Sequence, residues 1–440
     1  MGAGAFIEPL VVVTLLFGGT YFNRDSSYRL FGNPDRRWNR EEIGAGKRED
    51  SPSKIESGFN SPASEEGLLG LRSPRSGSPS QEARWRTREL VILGFRRRVT
   101  SPNTRVFRNN FLSRLLRKFP FLVEAWYWAL IYWVYQLGRA FTAVTLVQGT
   151  VHVAREHALQ LIHLEKRLHI FLELPIQHFF LKRPFMLLWI NRVYSFIHIP
   201  GTILFLVWLF YFTTTRNRVL EPQSQKPVGE VDGSPAGPRL YEARRRTMAV
   251  CNLIAFIVFT LWPCMPPRLL SDSKYNGNNA KEAKSYGFID TVHGEHGESS
   301  VWTQNKFCNQ YAAMPSLHFG YSLLIGLTIA TIPLRPVANK STKCRASTLS
   351  RNRLVLLAIG TAYPLLILIA IIATANHFIL DAVAGAMVCG VAWYGNSILL
   401  NLLALEDYFL WCVRIAKPDV EIATFRDGRG ALDRHSWEKY

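Results

Sequence analysis

The chain has 440 residues, 48% of them hydrophobic, and it carries a formal net charge of +19. Such a charge could serve nucleic-acid binding, but the Lys and Arg residues lie in separate loops and do not form one basic groove interleaved with aromatic residues, which argues against a nucleic-acid partner. The six cysteines show no paired spacing, so they predict neither a zinc site nor a disulfide framework.

Apolar residues are concentrated in runs that are long enough to cross a bilayer. The runs are at about residues 5–22, 119–144, 185–212, 248–264, 317–334, 354–375 and 378–405. Since a chain in lipid must satisfy its backbone polar groups internally, we predict an all-α fold, a polytopic helical bundle of an integral, multi-pass membrane protein.

The sequence divides into four regions, which are 1–23, 24–118, 119–405 and 406–440. The first is predicted to be an N-terminal transmembrane helix with its N-terminus on the non-cytoplasmic side, because it begins without basic residues, carries Glu8 and is followed by Arg24; a cleaved signal peptide is the alternative. The second is rich in Ser, Pro, Gly and basic residues, which predicts a disordered cytoplasmic loop. The third is the membrane domain, and the fourth is a cytoplasmic tail.

Within the membrane domain, residues 159–172 have apolar residues at helical spacing and a charged face, which predicts an amphipathic helix along the membrane surface. Further along, Pro266 and Pro267 end an apolar span and place Arg268 at its C-terminal mouth. A guanidinium there either reaches the lipid headgroups or binds a phosphate in a forked geometry.

The next span opens with Pro315-Ser316-Leu317-His318. Ser316 is placed to cap the helix and His318 to lie in its first turn. The unpaired N–H groups of a helix start favour an anion such as phosphate, and a histidine beside them can carry a proton near neutral pH. The alternative is an ordinary cap with a histidine facing the headgroups.

The last span opens with His377 and Asp381, which are four residues apart and therefore share one helix face. A carboxylate in that position can accept the proton of one ring nitrogen and leave the other nitrogen free to attack. The alternative is that Asp381 is only a first-turn acid favoured by the helix dipole.

Three loops have excess Lys and Arg and are therefore predicted to be cytoplasmic, namely 24–118, 213–247 and 335–353. Alternation across the spans then brings Arg268, His318 and His377 to the opposite, luminal or extracellular, face. Two histidines, a carboxylate, a cation and two helix starts fit phosphoryl transfer on a lipid headgroup. This chemistry requires no metal and no cofactor, because a covalent phosphohistidine replaces a metal-bound water.

Three motifs resemble those of the type-2 phosphatidic acid phosphatase superfamily, namely Pro266-Pro267-Arg268, Pro315-Ser316-Leu317-His318 and His377-x-x-x-Asp381. The form Ala-Ala-Met-Pro-Ser-Leu-His looks like the fungal and bacterial branch with inositolphosphotransferases such as inositol phosphorylceramide synthase. The resemblance implies a six-helix core within 119–405. It also implies that His377 is the nucleophile, that Asp381 orients it and that His318 is the general acid. Arg268 and Ser316 would bind the phosphate.

The resemblance further implies transfer of phosphoinositol from phosphatidylinositol to a lipid acceptor such as ceramide, at a luminal site in the Golgi or ER, with membrane lipids as partners. The chain has Leu317, Ile371 and Leu261 where the phosphatase pattern has Gly, Arg and Lys, so its anion site has fewer cations. Three alternatives remain at this stage: a lipid phosphate phosphatase, a non-catalytic transporter or scaffold, and a metal site made by His318, His377 and Asp381. The sequence does not predict the oligomeric state.

Overall fold

The structure is a computed structural model that describes residues 4–31, 84–92, 94–145, 149–216, 236–272, 276–277, 279–291, 311–334 and 350–418. Within them the chain is mostly helical. The helices are α1 (Gly4–Phe22), α2 (Phe111–Lys118), α3 (Phe121–Thr145), α4 (Thr150–Arg167), α5 (Glu173–Leu181), α6 (Pro184–Thr215), α7 (Pro238–Leu261), α8 (Pro267–Leu270), α9 (Ala280–Ser285), α10 (Leu317–Thr331), α11 (Arg351–Ala373), α12 (Ile379–Gly395) and α13 (Leu403–Cys412).

The apolar helices coincide with the predicted spans. Within the described ranges, three helical stretches are long and apolar enough to cross a bilayer, namely Pro184–Thr215, Arg351–Ala373 and Ile379–Cys412, the last joining α12 to α13 through a 3-10 turn. Two shorter apolar helices are Pro9–Phe22 and Leu317–Thr331. Helices α3 and α7 cover the two remaining predicted spans. These helices support an integral, multi-pass membrane protein, and the six-helix core stays a prediction.

The predicted disordered loop is folded from residue 84 onward, which corrects that part of the prediction and adds two strands to a mostly helical fold. Strands β1 (Trp85–Ile92) and β2 (Phe95–Pro102) form an antiparallel hairpin, and α2 follows it. Arg88 donates from Nε and Nη2 to the two carboxylate oxygens of Asp407 in α13, at 2.8 and 2.9 Å. Because a buried carboxylate needs a charged partner, this pair holds the hairpin against the bundle. Residues 32–83 of the predicted loop lie outside the described residues.

Glycines let α10 approach its two neighbours at backbone distance. A Cβ on Gly385 of α12 would lie 2.3 Å from the carbonyl oxygen of Ser316, and a Cβ on Gly326 of α10 would lie 2.2 Å from that of Gly360 in α11. Small residues at helix interfaces permit such contacts in membrane bundles. The close packing brings the starts of α10 and α12 together at one end of the bundle.

Helix α4 packs against that end of the bundle. It ends at Arg167, short of the predicted boundary of residue 172, and its face with Ala158 and Ile162 packs in one cluster with Met265 and Phe378. The predicted amphipathic pattern is thus present, but its apolar face covers protein.

Candidate active site

Backbone hydrogen bonds join the three motifs found in the sequence. The N–H of Ser316 donates to the carbonyl of Asp381 at 2.9 Å, which ties the start of α10 to the first turn of α12. The N–H of Arg268 donates to the carbonyl of Ala375 at 2.9 Å, which ties the third motif's turn to α8. The structure therefore brings together residues that are 65 positions apart in the first contact and 107 positions apart in the second.

His377 is 7% exposed and has a fixed ring orientation. Its Nδ1 lies 2.7 Å from the carbonyl oxygen of Ala313 and 3.5 Å from Oδ2 of Asp381. Since a carbonyl oxygen can only accept, Nδ1 carries the proton and donates it to Ala313. Nε2 is then left with a free lone pair, which is the requirement for a nucleophilic imidazole.

Asp381 is fully buried, and its carboxylate contacts both Phe378 and His377. Its Oδ2 accepts the N–H of Phe378 at 2.8 Å, so its shortest hydrogen bond is to the start of its own helix. The same oxygen lies 3.5 Å from Nδ1 of His377. The structure thus combines both interpretations of this residue, while the shorter orienting contact of His377 comes from Ala313, which the sequence analysis missed.

His318 lies in the first turn of α10, as predicted, and its ring faces that of His377 with 5.8 Å between centroids. Two further rings from α6 pack against it, Tyr194 at 4.8 Å and His198 at 5.1 Å. His198 Nδ1 in turn lies 3.0 Å from the hydroxyl of Tyr363. Tyr194 and His198 were not identified from the sequence, although their i,i+4 spacing in an apolar span was a usable signal.

Arg268 has a nearly buried guanidinium, 9% exposed. Its Nε donates to Oδ1 of Asn376 at 2.9 Å, and its Nη1 donates to Oδ2 of Asp290 at 2.8 Å. Asn376 directly precedes His377, so the arginine is fixed beside the third motif. Neither of its partners was identified as a site residue from the sequence, because an amide and a loop carboxylate carry no distinctive spacing.

Ser316 is the N-cap of α10, as predicted, and its hydroxyl accepts the N–H of Phe319 at 3.4 Å. The residue is fully buried. Its contact with a phosphate stays a prediction.

Carboxylates accept the first N–H groups of α12, so of the two helix starts expected to stabilise a phosphate, this one has its N–H groups occupied by the protein. The N–H groups of residues 378–380 donate in turn to Asp381, Glu173 and Glu165, at 2.8 to 2.9 Å. Buried N–H groups at a helix start require acceptors, and here the protein supplies all three itself. Glu165 and Glu173 come from α4 and α5, about two hundred residues away, and neither was identified as a site residue from the sequence.

In the part of the chain that the structure describes, no three His, Cys, Asp or Glu side chains are grouped so that they could hold a metal ion.

Comparison with known proteins identifies one family. A family model described as the PAP2 superfamily matches residues 159–221, 236–339 and 344–395. These segments contain all three motifs and both glutamates. No curated protein and no solved structure gives a match. The predicted superfamily is thereby confirmed, whereas the inositolphosphotransferase branch stays a prediction.

Proposed function

The chain belongs to the PAP2 superfamily of phosphatases and phosphotransferases, and from this premise we propose that it transfers a lipid phosphate headgroup through a phosphohistidine formed at His377. The observation that carries the proposal is the geometry of two imidazoles. Their centroids are 5.8 Å apart, and Ala313 fixes the tautomer of His377 that leaves Nε2 free.

In the first half of the reaction, Nε2 of His377 attacks the phosphorus atom of the donor lipid. The bond from phosphorus to the diacylglycerol oxygen breaks, and protonated His318 gives its proton to that oxygen. In the second half, the acceptor hydroxyl attacks phosphorus, the phosphorus–nitrogen bond breaks, and His318 takes the hydroxyl proton. Water as the acceptor would give hydrolysis by the same steps.

Arg268 is the residue that we assign to the phosphate oxygens. Asn376 and Asp290 hold its guanidinium in a fixed orientation, so little reorganisation accompanies substrate binding. Ser316, in this proposal, contributes through the start of α10.

The charges near Arg268 support a phosphodiester donor over a phosphomonoester. Asp290 neutralises the arginine, and buried Asp381 adds a further carboxylate. A phosphomonoester carries between one and two negative charges near neutral pH, whereas a phosphodiester carries one. A site with this balance repels a dianion more strongly than a monoanion, and Ile371 and Leu261 do not supply the cations that the phosphatase pattern has at their positions. We therefore propose phosphoinositol transfer from phosphatidylinositol to a lipid such as ceramide.

The site is proposed to face the lumen of the Golgi or ER. The opposite end of the bundle carries Arg88 of the hairpin and the basic start of α7, including Arg244, and basic segments favour the cytoplasmic side. Membrane lipids are the proposed partners.

The test uses the purified full-length protein in mixed micelles. With phosphatidylinositol and ceramide, we expect a new phosphoinositol lipid and one diacylglycerol for each; with phosphatidic acid, we expect little free phosphate. His377→Ala should lower turnover at least about 10³-fold, because the nucleophile is lost, while His178→Ala, at an exposed histidine of α5, should leave it unchanged.

Rapid release of phosphate from phosphatidic acid, with no product from ceramide, would instead establish the lipid phosphatase alternative. Undiminished turnover by His377→Ala would contradict the mechanism for both activities.

A further inference from the structure

Two glutamates are buried against the start of α12. Glu165 and Glu173 are both 0% exposed. Oε1 of Glu165 accepts the N–H of Leu380 at 2.9 Å, and Oε1 of Glu173 accepts the N–H of Ile379 at 2.8 Å. These contacts fix the first turn of the helix that follows His377 directly.

The second oxygen of each glutamate shows how the pair is protonated. Within the described residues, no donor reaches the buried Oε2 of either side chain, and the two carboxyl groups lie side by side because they accept the N–H groups of adjacent residues. Two ionised carboxylates buried side by side repel each other, which favours a state in which one of them keeps a proton. Burial, followed by the charge of Glu173, raises the pKa of Glu165 to about 9, and burial also raises the pKa of Glu173.

We propose that Glu165 and Glu173 form an acid pair that holds one shared proton and positions His377 by fixing the start of α12. The pair acts through the helix and touches no substrate, so these are positioning residues. Only the activity arm of the test below rests on the proposed function.

The other ionisable groups that face the pair determine the total charge of the cluster with and without the shared proton. Asp381 of α12 faces both glutamates, the Cys264 thiol of the 262–266 loop faces Glu165, and the His377 imidazole lies behind Asp381. With the shared proton, this cluster holds two carboxylate charges. Loss of the proton would add a third charge without adding a cation, which separates the carboxylates and releases the N–H groups that they accept.

The proposal predicts a specific pattern for Glu165→Gln. A glutamine has the shape of a protonated glutamate, so its amide NH₂ can donate to Glu173 while its oxygen still accepts the N–H of Leu380. We expect kcat near the wild-type value at pH 7, and we expect the alkaline fall of the wild-type kcat to be weakened. Glu165→Ala should lower kcat at least about ten-fold, because small displacements of reacting groups are costly.

A second readout needs no substrate. A raised pKa in the folded state means that the stabilisation is complete below the unfolded pKa, near 4.5, and is lost as the pH rises toward about 9. The melting temperature of the wild-type protein in detergent should therefore fall across that range. The melting temperature of the Glu165→Gln variant should fall less across that range, and at pH 8 it should be higher than that of the wild type. Glu156→Gln, at an exposed position on the same helix, should follow wild type.

These readouts separate the two proposals. If no lipid is turned over but the melting curves follow the predicted pattern, the proposed function fails and the acid pair stands. If Glu165→Gln loses as much activity as Glu165→Ala, or keeps the wild-type dependence of melting temperature on pH, the shared proton is refuted.

Discussion

Replacement of Asp290 by asparagine tests the charge balance of the candidate site. Asp290 holds Nη1 of Arg268 at 2.8 Å, and its side chain is 22% exposed. The amide of the variant keeps an oxygen acceptor for the guanidinium but removes one negative charge. We therefore expect the arginine to stay in place and the site to accept a more highly charged phosphate.

The expected magnitude follows from Coulomb's law. Two anions bound to one guanidinium lie roughly 6 Å apart, which gives about 3 kcal/mol for each pair of charges at an effective dielectric constant of about 20. Partial exposure of Asp290 reduces this energy to about half, and about 1.4 kcal/mol corresponds to a factor of about ten in rate. Since a monoester carries the additional charge, Asp290→Asn should raise kcat/KM for phosphatidic acid relative to phosphatidylinositol about ten-fold.

The assay measures both substrates with the same preparation of full-length protein at about pH 7.5. The ratio of the two kcat/KM values is the deciding quantity, because any general loss from disturbing Arg268 cancels in it. Glu282→Gln is the matched control, a carboxylate on α9 that is bonded to His163 and should leave the ratio unchanged. A ratio that is unaffected by Asp290→Asn, or that shifts toward phosphatidylinositol, would refute the reasoning.

Two further substitutions test the packing. Gly385→Ala places a Cβ 2.3 Å from the carbonyl oxygen of Ser316, so it should lower stability by about 1–3 kcal/mol and activity with it, while Gly390→Ala, with open space around it, should change neither in melting and turnover assays. Asp407→Asn removes the charge that holds Arg88, so limited proteolysis should cleave the hairpin faster without changing kcat, and an unchanged cleavage rate would contradict the role of this ion pair.

The helices were predictable because their apolar runs are local signals. Each predicted span coincides with a helix, and the cap at Ser316 and the first-turn position of His318 follow from residue types at adjacent positions. The hairpin was not predictable in the same way. Its strands carry many arginines, and what stabilises them is a buried carboxylate, Asp407, some three hundred residues away.

The same distinction between local signals and contacts of distant segments applies to the candidate site. The proximity of His318 to His377 followed from the alternation of spans, because both residues open helices that begin at the same end of the bundle. The residues that hold the histidines and Arg268 in place depend on contacts between distant segments. Glu165 resembled part of the charged face of a surface helix, and Asp290 resembled an ordinary loop residue, so neither could be placed before the fold was known.

The central claim is that phosphorus becomes bonded to His377 during turnover. The most direct test incubates the purified full-length protein with phosphatidylinositol labelled in its headgroup, quenches at alkaline pH, where phosphohistidine persists, and locates the adduct by tandem mass spectrometry. The account predicts a phosphoinositol adduct on His377 that is absent from His377→Ala. Turnover without such an adduct, or an adduct on another residue, would contradict it.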